Sequence, residues 1–93
     1  MDDNLIKRLK SALEMADGRE ELTRKEMTEL KWAIFFVNPY PDENSIAIDE
    51  ALERSKDETI KINESIKTEM NKWRGWNGMH KIHFKHQDSL WSV

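Results

Sequence analysis

Residues 23–42 read TRKEMTELKWAIFFVNPYPD and carry both a start signal and a stop signal for a helix. Thr23 and Glu26 have the spacing of a capping box, in which each side chain accepts a hydrogen bond from the backbone amide of the other residue. Pro39 and Pro41 end the helix, because proline disfavours helical geometry at the residue before it. The stretch therefore predicts a helix that begins after Thr23 and ends before Pro39.

The apolar residues of this predicted helix cover more than one of its sides. Met27, Leu30, Ile34 and Val37 form a stripe at helical spacing, and residues 32–37 are apolar without interruption. A surface helix normally buries a single stripe. The helix is therefore either central to the core or uses its second face to contact a partner, and the sequence favours the first interpretation.

The segment before it, residues 3–17, predicts an amphipathic helix. Its apolar residues recur at steps of three and four, which places them on one face. Gly18 follows the last of them, where a glycine in the left-handed conformation commonly ends a helix. The apolar face consists of Leu5, Ile6, Leu9, Ala12, Leu13 and Ala16.

The segment after it, residues 44–74, has heptad-like spacing that is typical of a long helix. As one helix it would be about 45 Å long. A break near Ser55 is the alternative, because Ser55 and Glu58 also have capping-box spacing. The sequence slightly favours one helix, since a favourable charge pair, Arg54–Glu58, crosses the suspected break. The stripe consists of Ile48, Leu52, Ser55, Thr59, Ile62, Ile66 and Trp73.

Length and composition place the whole chain in the class of small helical domains. The 93 residues include 15 Lys and Arg against 18 Asp and Glu, and only 3 Gly and 2 Pro interrupt them. Four Trp, three Phe and one Tyr argue against disorder. These features predict an all-α fold, a three- or four-helix bundle with a short extended C-terminal tail.

Cysteine is absent, which excludes disulfides, cysteine-ligated zinc and thiol nucleophiles. No window approaches the roughly 20 apolar residues that cross a bilayer. The first residues are acidic and are not followed by a continuous apolar stretch, unlike a secretory signal peptide. The expected location is the cytoplasm, and no membrane contact is expected.

The C-terminal residues have a different character. Residues 72–93 combine four Lys and Arg with one Asp, and they hold three of the four Trp. Asn77 and Gly78 form a turn signal. We expect residues 1–78 to form the helical bundle and residues 79–93 to form a basic, aromatic tail within the same domain. The tail either contacts a partner or packs back on the bundle through Ile82, Phe84 and Trp91, and the sequence favours the second interpretation.

No motif in the chain predicts catalysis, a metal or a cofactor. His80, His83 and His86 would not converge on one metal ion in either a strand or a helix, and no further ligands stand at the spacing of a zinc site. A phosphate-binding glycine loop and a nucleophile elbow are both absent from the sequence. We therefore expect no enzyme activity, no cofactor and no metal.

The sequence points to binding instead. We expect a small acidic protein-binding module, an inhibitor or adaptor that blocks a larger partner such as a basic nuclease or a nucleic-acid-binding complex. Such small proteins are common in phages and plasmids. One alternative is a nucleic-acid-binding regulator that uses the basic aromatic tail; another is a structural homodimer formed through the helix of residues 44–74. The expected partner-binding residues are Phe35, Phe36, Tyr40, Trp76, Lys81, Phe84, Lys85 and Trp91.

A local pattern adds to the inhibitor hypothesis. Ile66, Met70, Trp73-Arg74 and Asn77-Gly78, followed by Phe84-Lys85, resemble the last helix and tail of the immunity proteins that act against nuclease colicins and pyocins. The resemblance covers about 20 residues and implies a small acidic four-helix inhibitor. The aromatic third-helix motif of that family is missing from residues 44–49, so the toxin-binding residues of the family have no counterparts here.

Overall fold

The computed structural model describes residues 3–76, which form four α-helices and one two-stranded antiparallel sheet. In chain order these are α1 (Asp3–Ala16), β1 (Glu21–Thr23), α2 (Arg24–Val37), α3 (Glu43–Arg54), β2 (Thr59–Lys61) and α4 (Glu64–Arg74). The prediction of an all-α bundle is confirmed in part. Residues 3–76 are mostly helical and form four helices, but β1 and β2 add a small sheet that the sequence did not predict. The predicted tail, residues 79–93, lies outside the described residues.

The first two helices begin and end where the sequence predicts. Gly18 follows α1 with a φ angle of +72°, and the Arg19 amide donates to the Ala16 carbonyl at 3.2 Å. Before α2 the capping box is complete. The Thr23 hydroxyl accepts from the Glu26 amide at 3.1 Å, and the Glu26 carboxylate accepts from the Thr23 amide at 2.9 Å.

The predicted single helix over residues 44–74 is wrong. α3 ends at Arg54, and Ser55 is its C-cap rather than the N-cap of the following helix. Asn63 begins α4 by accepting a hydrogen bond from the Ile66 amide at 2.9 Å. Arg54 forms an ion pair with Glu50 at 3.4 Å within α3, so the charge pair that favoured a continuous helix does not form.

The strand β2 lies between α3 and α4 in the chain and pairs with β1. Leu22 stands opposite Ile60, and both side chains are buried while the flanking residues of each strand are exposed. The Ile62 amide extends the pairing by donating to the Glu20 carbonyl at 2.9 Å. Because the strands are antiparallel, the Arg24 amide at the start of α2 donates to the Glu58 carbonyl just before β2, while Ile62, just before α4, lies beside Glu20.

One hydrophobic core lies between the four helices and the sheet. α2 packs against α1, α3 and both strands, and α3 packs against α4. The apolar members of the predicted heptad stripe lie in or against this core rather than along an exposed seam. The hypothesis of a homodimer through that seam therefore loses its basis. The stripe's fully or nearly buried members are Ile48, Ile62, Ile66 and Trp73.

Among residues 3–76, no helix is long and apolar enough to cross a membrane.

Candidate protein-binding surface

Three aromatic side chains occupy the outer side of α2. Trp32, Phe35 and Phe36 stand at positions i, i+3 and i+4, which are neighbours on a helix surface. Trp32 is 43% exposed and Phe36 is 52% exposed, whereas Phe35 is half-buried against the edge of the core. We call these three residues the α2 aromatic face. The buried side of α2 consists of Met27, Leu30, Ala33, Ile34 and Val37.

Both sequence interpretations of α2 therefore describe part of the helix. Its buried side lies in the centre of the core, as the favoured interpretation predicted, and its second apolar side remains at the surface. The rings on that side contact one another. The ring centroids of Trp32 and Phe36 are 5.7 Å apart at a tilt of 34°, and those of Trp32 and Phe35 are 6.4 Å apart in an edge-to-face arrangement.

Arg8 of α1 holds one edge of the α2 aromatic face. Its guanidinium carbon lies 5.1 Å from the centre of the Phe36 ring, within the range of a cation–π contact. The same guanidinium donates two hydrogen bonds to the Glu29 carboxylate, at 2.8 and 3.2 Å. These hydrogen bonds lower the pKa of Glu29 and keep it ionised. Phe36 is thereby held between its own helix and α1.

Lys31 holds the opposite edge, next to α3. Its ammonium nitrogen lies 4.8 Å from the centre of the Trp32 ring and 5.9 Å from that of Phe35. It also forms an ion pair with Asp49 of α3, and the Lys31 side chain is only 18% exposed. The ammonium therefore links the two helices and lies beside the Trp32 and Phe35 rings.

The arrangement gives exposed rings with restricted freedom. A side chain that is already held in place loses less conformational entropy when a partner covers it. Trp and Arg are also the residues most often found where binding energy is concentrated in protein interfaces. The α2 aromatic face thus has the composition and the preorganisation of a protein-binding site.

The structure brings together only some of the predicted partner-binding residues. Phe35 and Phe36 lie side by side on the α2 aromatic face. Tyr40 is half-buried beyond the end of α2, where its backbone amide donates to the Asn38 side chain at 3.1 Å.

Trp76 is only 9% exposed and packs edge-to-face on Trp73 with ring centroids 5.2 Å apart. The expectation that Trp76 belongs to the exposed apolar surface is therefore wrong, because its ring adds to the core.

Trp32 is the residue that the sequence-based selection missed. It belongs to the apolar run of residues 32–37, and its spacing of three and four from Phe35 and Phe36 is a signal that could have identified it. The remaining predicted contact residues, Lys81, Phe84, Lys85 and Trp91, lie outside the described residues. His80, His83 and His86 lie there as well.

Within residues 3–76, no group of three or more Asp, Glu or His side chains is arranged to hold a metal ion. Comparisons with protein-family models, with curated proteins and with solved structures find no significant match to the chain.

Proposed function

We propose that this protein is a non-enzymatic protein-binding module that acts by covering part of a larger partner, as an inhibitor or an adaptor. The observation that supports this proposal is the α2 aromatic face, where Trp32 and Phe36 are 43% and 52% exposed while flanking cations hold their rings. Large apolar side chains that remain exposed together in this way commonly mark interaction sites.

A protein surface fits this site better than a small molecule does. The rings lie on the outer side of a helix, whereas small ligands are usually enclosed by a concave, mostly apolar pocket. One cavity of about 250 Å³ between α1 and α4 is lined by Lys10, Leu13, Glu14, Asp17 and Arg74, and none of the three rings lines it. The α2 aromatic face therefore suits contact with a broad, apolar patch of another protein.

The charge of residues 3–76 favours a protein partner over nucleic acid. These residues carry 16 Asp and Glu against 13 Lys and Arg. Arg8 and Lys31, the cations nearest to the rings, are already bound to Glu29 and Asp49. Binding to phosphates depends on cations that can replace counterions. The hypothesis that the partner is a nuclease or a nucleic-acid-binding complex forms part of this proposal, with the module covering that partner's own binding surface.

Site-specific photo-crosslinking tests the proposal. Benzoyl-phenylalanine would replace Trp32 in the full-length chain, expressed in the cells that naturally carry it. The matched control replaces Lys67, an exposed residue of α4. We expect one discrete protein adduct from position 32 and none from position 67. With the partner purified, Trp32→Ala should weaken its binding by about 30-fold or more. Absence of an adduct at position 32, or unchanged affinity in Trp32→Ala, would contradict the proposal.

A further inference from the structure

A second exposed surface lies on the outer side of α3. Ile46, Glu50 and Glu53 stand at positions i, i+4 and i+7, which share one side of a helix. Ile46 is 41% exposed, and both glutamates are exposed as well. Residues 42–58 contain seven Asp and Glu against two Lys and Arg. The outer side of α3 therefore combines an exposed apolar side chain with excess negative charge.

This surface adjoins the α2 aromatic face through one ion pair. Asp49 immediately precedes Glu50 on α3, and its carboxylate holds the Lys31 ammonium that lies over the Trp32 ring. Lys31 thus contacts an aromatic side chain of α2 and an acidic side chain of α3 at once. Lys31 and Asp49 therefore lie between the two exposed sides on adjacent helices, and we call these two sides together the α2–α3 surface. It consists of Trp32, Phe35, Phe36, Ile46, Glu50 and Glu53.

The negative charge of this area is only partly balanced by the protein itself. Lys31 is engaged by Asp49. Arg54 contacts Glu50 at 3.4 Å, but its side chain is 80% exposed, and such surface pairs contribute little. Within residues 3–76, Glu43 and Glu53 form no ion pair within 4.0 Å. The carboxylates of Glu50 and Glu53 are therefore available to cations that a partner supplies.

We propose that the α2–α3 surface binds a lysine- or arginine-rich segment of a protein partner. A large apolar side chain of that segment contacts Trp32 and Phe36, and its cations pair with Glu50 and Glu53. This inference rests on the proposed function and adds the chemistry of the partner to it. A second copy of the chain would set the same carboxylates against one another, and a phosphate backbone would be repelled by them.

The geometry of α3 sets the expected spacing of the partner's cations. Ile46 and Glu53 are separated by seven residues, which correspond to about 10 Å along a helix. A helical segment of the partner that runs antiparallel to α3 would match this 10 Å distance if it carried cations on two successive turns, next to its apolar side chain. The segment therefore needs only about three helical turns to cover both parts of the α2–α3 surface.

Two synthetic peptides test this chemistry against the full-length chain. Both are fluorescein-labelled 18-residue amphipathic helices with the same apolar face, which includes one Trp. One peptide carries Lys on its polar face and the other carries Glu. Fluorescence anisotropy should show that the Lys peptide binds at least tenfold more tightly than the Glu peptide at low salt. This preference should shrink as salt is raised, because added ions screen exposed charges.

Matched variants separate a local effect from the net charge of the chain. The double variant Glu50→Gln, Glu53→Gln should weaken binding of the Lys peptide by about tenfold, and Trp32→Ala should weaken it by a similar factor. The control is Glu14→Gln, Glu64→Gln, which removes the same charge from exposed positions on α1 and α4. Its affinity should change by less than twofold.

Several results would overturn the inference. Equal weakening by both double variants would indicate non-specific attraction, and equal binding of the two peptides would exclude charge recognition. If light scattering showed a dimer that Trp32→Ala dissociates, a second copy would be the occupant. If Phe84→Ala, Trp91→Ala increased affinity for the Lys peptide, the occupant would be the chain's own C-terminal segment. A partner that crosslinks at position 32 through an acidic segment would contradict the inference and support the proposed function, whereas absence of any adduct would contradict both.

Discussion

The Arg24 guanidinium donates a hydrogen bond of 2.6 Å to the Ser55 carbonyl and so joins the first residue of α2 to the C-cap of α3. A second nitrogen of the same group donates to the Leu52 carbonyl at 2.8 Å. The last carbonyls of a helix lack partners within the helix, and a cation there also interacts favourably with the helix dipole. Arg24 therefore stabilises the end of α3 from a distant part of the chain.

We predict that Arg24→Met destabilises the fold, because methionine keeps an apolar stem but cannot donate to the two carbonyls. The expected loss in the free energy of unfolding is about 1–2 kcal/mol, measured by urea denaturation. The matched control is Lys25→Met, at an exposed position of α2, for which a change within about 0.5 kcal/mol is expected. Equal effects of the two variants would show that the bonds to α3 do not stabilise the protein.

Arg24 also explains why the sequence did not decide how residues 44–74 fold. The pair Arg54–Glu58 favoured one helix, but it is a local interaction of a few tenths of a kcal/mol. The bonds from Arg24 and the pairing of Leu22 with Ile60 connect residues more than 25 positions apart, so no local pattern displays them. The alternation of Thr59, Ile60, Lys61 and Ile62 was the only local sign of β2, and three-residue strands are too short for that sign to prevail.

The start of α2 shows where sequence reasoning succeeds, and it gives the second prediction. Its capping box lies within four residues, Thr23 to Glu26, so the sequence contains the whole interaction. Thr23→Ala should lower the free energy of unfolding by about 1 kcal/mol, because the Glu26 amide loses its acceptor. Thr28→Ala is the control at an exposed position inside the helix and should be neutral or slightly stabilising. Equal destabilisation by both would contradict a specific capping role.

The α2 aromatic face was predictable only in part, because contacts between distant parts of the chain decide which side chains remain exposed. The apolar run of residues 32–37 identified Phe35 and Phe36 as surplus apolar surface. It did not show which side of α2 faces outward, because that depends on how α1 and α3 pack. Trp76 was assigned to the surface on composition alone, yet it packs on Trp73, one turn before it. Arg8, which contacts Phe36, lies on α1, and Lys31, which contacts Trp32, is paired with Asp49 of α3. Neither arrangement has a signal in the local sequence.

The third prediction concerns acid stability and Asp42, the N-cap of α3. Its carboxylate accepts from the Ser45 amide at 2.9 Å and from the Lys72 ammonium at 3.1 Å. Burial raises the pKa of Asp42, but the hydrogen bonds from Ser45 and Lys72 outweigh this effect and lower the pKa to about 2. A carboxyl group with a pKa lowered by folding stabilises the folded state above its unfolded pKa of about 4. That stabilisation is lost as the pH falls from about 4 to 2.

Urea denaturation at pH 6, 4 and 2.5 tests whether the stabilisation by Asp42 decreases as the pH falls. Asp42→Asn should be less stable than the natural chain by about 1 kcal/mol at pH 6, and the difference should shrink at pH 2.5. The matched control, Asp57→Asn, changes an exposed aspartate in the loop after α3 and should give a curve close to that of the natural chain. A difference for Asp42→Asn that is independent of pH would contradict the role of its charge.

The fourth prediction concerns Glu69, which is fully buried in α4. Among residues 3–76, neither of its carboxylate oxygens has a hydrogen-bond partner, and the Lys72 ammonium lies 3.7 Å away. Lys72 also pairs with Asp42, so it keeps an anionic partner when Glu69 is replaced. A buried carboxyl group without hydrogen-bond partners costs free energy, and an apolar residue of similar volume avoids that cost. Glu69→Met should therefore raise the free energy of unfolding by about 1–2 kcal/mol.

Two comparisons make the Glu69 result specific. Glu64→Met, in the same helix, changes a side chain that is 93% exposed and should not stabilise the protein. Glu69→Ala should be less stable than Glu69→Met, because alanine leaves a cavity. Destabilisation of Glu69→Met relative to the natural chain would show that the buried carboxylate contributes to the stability of the fold.

The last prediction separates the two kinds of tryptophan in this chain. Trp32 is 43% exposed on the α2 aromatic face, whereas Trp73 is 2% exposed in the core. Trp73→Ala should cost about 3–5 kcal/mol of unfolding free energy, because it empties a large volume of the core. Trp32→Ala should cost less than about 1 kcal/mol and leave the helical circular dichroism unchanged. The same substitution should nevertheless weaken binding of the purified partner by about 30-fold or more, since an exposed ring contributes to binding more than to folding. If Trp32→Ala destabilised the protein as much as Trp73→Ala, the ring would be part of the core, and the α2 aromatic face would lose its role as a binding site.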